Sequence, residues 1–173
     1  VPLIPENALH DTTTVVTEYS YFGSRLMPSA TGEYHNGVES WREDILHRGS
    51  LGNPTCIKAK GGSETTVVWA YKGHHPVAVL QNVPYGAVTA ALLGEIDFFV
   101  NNTSFGLLDE DILETLRTGL RSGNVVFPAA DTALVTTLRF IPGVGPSQVT
   151  DPAGITTSYT YDNGGRRTSV YNT

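Results

Sequence analysis

The chain has 173 residues and a formal net charge of −6 at pH 7, and only 16% of its residues are charged. Its 11 Lys and Arg residues are scattered, which argues against nucleic acid or an anionic membrane surface as a partner. The single cysteine excludes an internal disulfide and a cysteine-based zinc site, and no apolar run reaches the roughly 18 residues needed to span a bilayer.

Residues 1–11 predict an extended arm, because Pro2 and Pro5 fall in a stretch with little periodicity. The N-terminus lacks the basic and apolar regions of a signal peptide, and Val1 is not an initiator residue. We therefore expect a chain trimmed or cut from a longer one, with any targeting signal outside it.

Residues 12–83 predict a region of β-hairpins, because runs rich in β-branched and aromatic residues alternate with Gly, Pro and Asn turns. Residues 23–37 contain several turn formers and predict turns rather than a strand. The predicted strands are residues 12–21, 38–46, 56–60, 65–71 and 77–81.

Residues 84–122 predict two helices packed as a hairpin. Pro84 suits the first turn of a helix, and apolar residues such as Val88 and Leu92 recur at helical spacing. Asp109 can cap the second helix. The predicted fold class is therefore β-rich α+β, with antiparallel β-hairpins or a meander and this helical hairpin inserted between them.

Residues 123–173 predict a second β region that ends in a hairpin, with strands at 133–141, 148–150, 156–161 and 167–171. In the last hairpin Asp162 opens the turn, where its carboxylate can accept backbone N–H bonds. Gly164 and Gly165 can take positive φ. Arg166 begins the returning strand and can pair with Asp162.

The C-terminal segment resembles the repeat of the RHS (YD-repeat) family, in which Gly is followed at a distance by Tyr-Asp and then Gly-Arg. The residues that carry the resemblance are Gly154, Tyr161, Asp162, Gly165 and Arg166. Arg167 stands where the family usually has Leu. A looser resemblance, to the RHS-like cell-envelope proteins of Bacteroidetes-type bacteria, extends over residues 50–171.

The resemblance implies a non-catalytic structural or interaction module of a secreted or cell-surface bacterial protein, with no cofactor. Glycans or other envelope proteins are the implied partners. A carbohydrate-binding module and part of a toxin-delivery shell remain as alternatives. One repeat cannot bury its own sheet face, so we expect a fragment or the end of an array.

Exposed aromatic residues give the carbohydrate alternative its candidate stacking residues, which are Trp41, Trp69, Tyr71 and Tyr159. Most such residues are core or cross-strand pairs. If the chain stops at Thr173, the strand at 167–170 is expected to leave an unpaired edge. This predicts intermolecular strand pairing, as in a homodimer formed through that strand, or a swapped dimer.

Three candidate chemical sites have little support in the sequence. Asp151 could lie at a self-cleavage junction, but Asp-Pro-x-Gly is also an ordinary turn. His74 and His75 could bind a metal, although adjacent residues usually point apart. Cys56 lacks the surroundings of a catalytic thiol. We therefore expect neither a catalytic residue nor a metal site.

Overall fold

The computed structural model describes residues 11–83, 85–87 and 133–173. Within these residues ten strands form one antiparallel sheet, in which every strand pairs with its neighbours in the sequence. The strands are β1 (Thr13–Phe22), β2 (Arg25–His35), β3 (Val38–Arg48), β4 (Pro54–Ala59), β5 (Glu64–Ala70), β6 (His75–Gln81), β7 (Leu134–Ile141), β8 (Gly145–Thr150), β9 (Thr156–Tyr161) and β10 (Arg167–Asn172).

The predicted α+β class is wrong, because the described part of the chain is an all-β meander without an α-helix. Of the predicted helical hairpin at 84–122, Tyr85–Ala87 form a single turn of 3₁₀-helix, and the other residues lie outside the described ranges.

Residues 25–35, predicted as turns, form the long strand β2, so this prediction is also wrong. Pro28 is tolerated because β3 pairs with β2 only from Ala30 onwards. The backbone of Pro28 therefore has no β3 partner to which it would have to donate an N–H. Its carbonyl accepts a hydrogen bond from the Arg48 guanidinium.

An ion-pair cluster ties the first three strands together. Arg42 on β3 reaches across β2 to Glu18 on β1 with two hydrogen bonds of 2.7 and 2.9 Å, and its Nε donates to Asp44 at 2.8 Å. The hydrogen bonds from Arg42 lower the pKa of Glu18. Lys60 bonds to Glu39 at 3.0 Å and lowers the pKa of that carboxyl in the same way.

The core is centred on one face of strands β4 to β7. Cys56, Thr66, Leu80 and Val135 lie directly opposite one another across these four strands, and all are buried. The Thr66 hydroxyl donates to the Val83 carbonyl at 2.9 Å, so the buried polar group is satisfied. Burial of side chains such as Leu80 stabilises the sheet by about 1.5–3 kcal/mol each.

The neighbouring row on the same face becomes polar as it approaches the C-terminal strands. Val68, Ala78 and Thr137 are buried and in register. The row continues to Thr150 and Thr156, whose hydroxyl oxygens are 2.9 Å apart. The outermost strands differ from this centre, since every residue of β10 and nearly every residue of β1 is exposed.

Candidate functional site

The Asp162 carboxylate locks the turn between β9 and β10. Its Oδ1 accepts hydrogen bonds from the backbone N–H groups of Gly164 at 2.9 Å and Arg166 at 3.0 Å. Its Oδ2 accepts from Arg166 Nε at 2.9 Å. These bonds, the backbone N–H of Arg166 foremost, lower the pKa of Asp162. The predicted pairing of Asp162 with Arg166 is present.

Tyr161, the residue before Asp162, joins β9 to β8. Its hydroxyl donates to the Pro146 carbonyl at 2.7 Å. The phenol also lies over Gly145, where an added Cβ would be only 2.8 Å from Oη. Gly145 therefore needs to be glycine because a tyrosine from the neighbouring strand occupies the space of its side chain.

The backbone geometry of this turn occurs at three places in the described sheet, at residues 49–53, 151–155 and 162–166. In each, the first N–H donates to the fifth carbonyl and the fourth N–H donates to the first carbonyl, over 2.8–3.0 Å. The fourth residue is Gly52, Gly154 or Gly165, with φ of 91°, 98° and 74°. A type I turn followed by a left-handed glycine produces such a hairpin.

Asp151 plays the part in its turn that Asp162 plays in the next. Its Oδ1 accepts the N–H of Ile155 at 2.9 Å, four residues along, as Asp162 accepts the N–H of Arg166. The Asp151 carboxylate therefore stabilises the turn through this hydrogen bond, which agrees with the interpretation of Asp-Pro-x-Gly as an ordinary turn.

A cross-strand bond of the Tyr161 kind also occurs earlier in the chain. The indole Nε1 of Trp69 donates to the Pro54 carbonyl at 2.6 Å, and both this bond and that of Tyr161 span 15 residues. Gly73 lies four residues after Trp69, just as Gly165 lies four residues after Tyr161, and the two glycines have φ of 78° and 74°. The two bonds thus share their span in the sequence, but the turns that follow them differ, because Tyr71 and Lys72 also have positive φ, of 52° and 57°.

The four predicted stacking residues lie in different surroundings. Trp41 on β3 is 43% exposed, whereas Trp69 is half-buried by its contact with Pro54. Tyr71 is only 1% exposed and meets the ring edges of His75 and Phe140, so it offers no free face to a ligand. The ring of Tyr159 carries the Arg167 guanidinium at 5.9 Å.

The Cys56 thiol and the His75 ring are packed against neighbouring side chains of the sheet. Cys56 is buried, its Sγ is 3.6 Å from a carboxylate oxygen of Glu64, and burial raises its pKa, as in an unreactive cysteine. His75 stacks on Phe140 at 4.5 Å. The described residues contain no group of three or more His, Cys, Asp and Glu side chains that could hold a metal ion.

A groove of about 440 Å³ lies at the C-terminal end of the sheet. Arg139, Gln148, Ser158 and Tyr171 line it and are directly opposite one another across β7, β8, β9 and β10. The rest of its lining is Ile141, Pro142, Ser147 and Tyr159. Tyr159 is the one lining residue that was predicted from sequence as a candidate for ligand stacking. The row itself could not be predicted, because its residues are far apart in the chain and only the strand register brings them together.

Residues 145–173 match the family model of the RHS Repeat. The matched segment begins at Gly145 and contains β8, β9 and β10, with the turns locked by Asp151 and Asp162. The resemblance predicted from the Tyr161-Asp162 segment is thereby confirmed. No curated protein matches the chain. Where the chain is described, it contains no helix long and apolar enough to cross a bilayer.

Proposed function

We propose that this chain, which carries an RHS repeat at residues 145–173, is a non-catalytic structural and interaction module of a secreted or cell-surface bacterial RHS protein. The repeat supplies the structural part of this role. The finer parts, which are the location, the partners and the lack of catalysis, are proposals.

The observation that carries the proposal is the repetition of one backbone turn geometry along a single sheet. The turn closed by Gly52 precedes the family match, while those closed by Gly154 and Gly165 lie inside it. The bonds from Trp69 to Pro54 and from Tyr161 to Pro146 repeat as well. Repetition of one supersecondary unit is the construction principle of scaffold proteins, in which each unit depends on its neighbours.

The exposed strand β10 supports an interaction role. All six of its residues are exposed, including Val170 and Tyr171, and within the described sheet it pairs only with β9. A strand with one unpaired edge presents backbone N–H and C=O groups to another strand. Pairing with a further unit, or with a second copy in a homodimer, would satisfy these groups.

Sedimentation velocity across a range of protein concentrations tests this role. We expect the chain to self-associate and Val170→Lys to shift it towards monomer, because a charge on an edge strand disfavours pairing. Leu134→Lys is the matched control, since Leu134 is exposed on β7, which has a partner strand on each side. A wild-type chain that stays monomeric at high concentration would overturn pairing between two copies through β10.

The secreted or cell-surface location is supported by the RHS repeat, because such repeats occur in proteins of this kind. Protease treatment of intact bacteria that produce the native protein tests it. Cleavage of the chain on whole cells is expected, whereas recovery of the intact chain only from the cytoplasmic fraction would overturn the proposed location.

The alternative proposal for the same module is a role in the shell of a toxin-delivery protein. The single ten-stranded meander supports this alternative, because a long continuous sheet of hairpins can form the side of a hollow shell. The downstream reading frame separates the two roles, because a shell protein would be followed by a toxin domain with an adjacent immunity gene.

A further inference from the structure

The turn between β2 and β3 consists of Asn36 and Gly37. His35 and Val38 are paired on either side of it, and the two turn residues have positive φ, of 50° and 79°. A two-residue loop with Asn-Gly at its centre is typical of a type I′ hairpin turn. Both residues are exposed, and a Cβ added at Gly37 would meet no atom within 4 Å. The space around the peptide bond between them is therefore open.

The side-chain amide of Asn36 is held by the two residues just before β1. Its Oδ1 accepts a hydrogen bond from the Thr12 N–H at 3.1 Å and lies 3.5 Å from the Thr12 hydroxyl. Its Nδ2 donates to Asp11 Oδ1 at 3.0 Å. The backbone N–H of Asn36 donates to the Thr12 carbonyl at 2.9 Å. These bonds fix both ends of the amide and join the turn to the start of the outermost strand β1.

This environment favours nucleophilic attack on the amide carbon of Asn36. Negative charge develops on Oδ1 when a nucleophile adds to Cγ, and an N–H already directed at that oxygen stabilises the charge. The backbone nitrogen of Gly37 is the next nucleophile in the chain, and its N–H donates no backbone hydrogen bond among the described turns. Attack within one dipeptide also avoids the entropic cost of bringing two molecules together.

We propose that Asn36 is a self-modification site, at which the chain converts the side-chain amide into a carboxylate. The Gly37 nitrogen forms a bond to Asn36 Cγ and loses its proton, the Cγ–Nδ2 bond breaks, and Nδ2 takes up a proton and leaves as ammonia. The product is a succinimide ring. Water then adds to one of the two ring carbonyls and opens the ring, which yields aspartate or isoaspartate at position 36. The sequence of steps consumes only solvent water and involves no oxidation or reduction.

The chain contains a second Asn-Gly dipeptide in a hairpin turn, Asn163-Gly164, which lacks this arrangement. The N–H of Gly164 donates to Asp162 Oδ1 at 2.9 Å, so the nitrogen that would attack is engaged. A Cβ added at Gly164 would lie 3.3 Å from that carboxylate oxygen, whereas the surroundings of Gly37 are open. Asn163 is exposed, as Asn36 is. Exposure alone therefore does not distinguish the two sites, and their hydrogen bonds do.

Conversion of Asn36 weakens the attachment of the turn to β1. The carboxylate that replaces the amide has no N–H to donate, so the hydrogen bond to Asp11 is lost and two like charges face each other, which is destabilising. The isoaspartate product also lengthens the main chain by one carbon and so distorts the turn. Since β1 pairs only with β2 in the described sheet, we expect the end of β1 beside this turn to open more often as the protein ages.

Peptide mapping by mass spectrometry during incubation at mildly alkaline pH tests the proposal. Replacement of NH₂ by OH changes the peptide mass, and labelling by an isoaspartate-specific methyltransferase detects the second product. In the folded chain Asn36 should convert at least about tenfold faster than Asn163, because only Asn36 has a donor on Oδ1 and an open neighbouring nitrogen. In unfolding concentrations of urea the two sites should convert within about threefold of each other, because the folded arrangement is lost.

Two variants at Thr12 assign the effect to its backbone donor. Thr12→Pro removes the N–H that Asn36 Oδ1 accepts, and it should slow the conversion of Asn36 at least about threefold. Thr12→Val is the matched control, since it keeps the N–H and loses only the weak 3.5 Å hydroxyl contact; the rate should stay within about twofold of the wild type. Conversion of Asn163 should be the same in both variants.

A third variant, Asn36→Asp, tests the consequence of the modification. Hydrogen exchange of the backbone amide of Thr12 should be at least about threefold faster in this variant than in the wild type, because the like charges loosen the contact. Amides of β5, at the centre of the sheet, are the internal reference and should exchange equally in both proteins. An unchanged exchange rate at Thr12 would overturn the loosening of β1.

The self-modification site is overturned if Asn163 converts as fast as Asn36 in the folded chain, or if the difference between the sites persists unchanged in urea. Thr12→Pro with an unaltered conversion rate and an unaltered melting curve would also overturn it. If Thr12→Pro does not fold, the comparison of folded with urea-unfolded wild type still decides the outcome. These results do not bear on the proposed scaffold role, which depends on the RHS repeat and its turns.

Discussion

Removing the Tyr161 hydroxyl, and separately filling the space beneath it, tests the contact that joins β9 to β8. Tyr161→Phe removes the 2.7 Å hydrogen bond to the Pro146 carbonyl. A typical intramolecular hydrogen bond contributes about 1 kcal/mol to stability. That loss corresponds to a fall of about 2–4 °C in Tm for a domain of this size.

Gly145→Ala perturbs the same contact from the other side. The new Cβ would lie 2.8 Å from Tyr161 Oη, which is too short for two heavy atoms that are not hydrogen-bonded, and 3.3 Å from Cζ. Overpacking of this kind costs about 1–3 kcal/mol. Tyr161 would have to move away, and its bond to Pro146 would then be lost in this variant too.

The double variant Tyr161→Phe with Gly145→Ala should therefore be more stable than the sum of the two single effects implies, by about 1 kcal/mol or more. Any backbone cost of alanine at position 145 is present with and without the hydroxyl, so it cancels in the comparison. Urea unfolding of the four proteins, followed by circular dichroism, measures the coupling. Strict additivity within about 0.5 kcal/mol would refute the assigned contact.

Two further predictions concern the turn and its earlier counterpart. Because the folded-state pKa of Asp162 lies below its ordinary value of 3.8, its stabilising contribution is complete above that value and is lost as the pH falls through the lowered pKa. Unfolding midpoints between pH 5 and 3 should therefore fall less steeply for Asp162→Asn than for the wild type, and parallel curves would contradict this. Trp69→Phe removes the hydrogen bond to the Pro54 carbonyl and should destabilise the chain by about 1–3 kcal/mol. Trp41→Phe is the control at an exposed site and should change stability by less than about 0.5 kcal/mol. Equal effects of the two variants in thermal melts would argue against the repeated cross-strand bond.

Interactions that are local in the chain could be predicted well from the residues alone. The turn of Asp162 closes through bonds to Gly164 and Arg166, all within five consecutive residues. Composition and alternation likewise predicted the strand β5 within a residue at either end. Both succeed because the stabilising partners are close in sequence, so that little depends on the remainder of the sheet.

Strand β2 shows where local rules fail. Gly and Pro in residues 23–37 predicted turns, but pairing along both sides of the Ala30–His35 part overrides that preference. Pro28 is accommodated beside the irregularity opposite Glu18 and Tyr19. Tertiary pairing therefore decided that this segment is a strand, and it also made the described fold a single all-β meander.

The amino-acid sequence by itself determined that the chain ends in an RHS-type hairpin, because Tyr161, Asp162, Gly165 and Arg166 act within one turn and its adjoining strand ends. Only the tertiary structure decided what that hairpin contacts. The hydrogen bonds from Tyr161 to Pro146 and from Trp69 to Pro54 each join residues 15 positions apart, so they depend on strand register. So does the row from Arg139 to Tyr171, in which the irregularity after Arg139 sets Gln148 opposite it. Register is a property of paired strands, since a shift by one residue would turn these side chains to the other face.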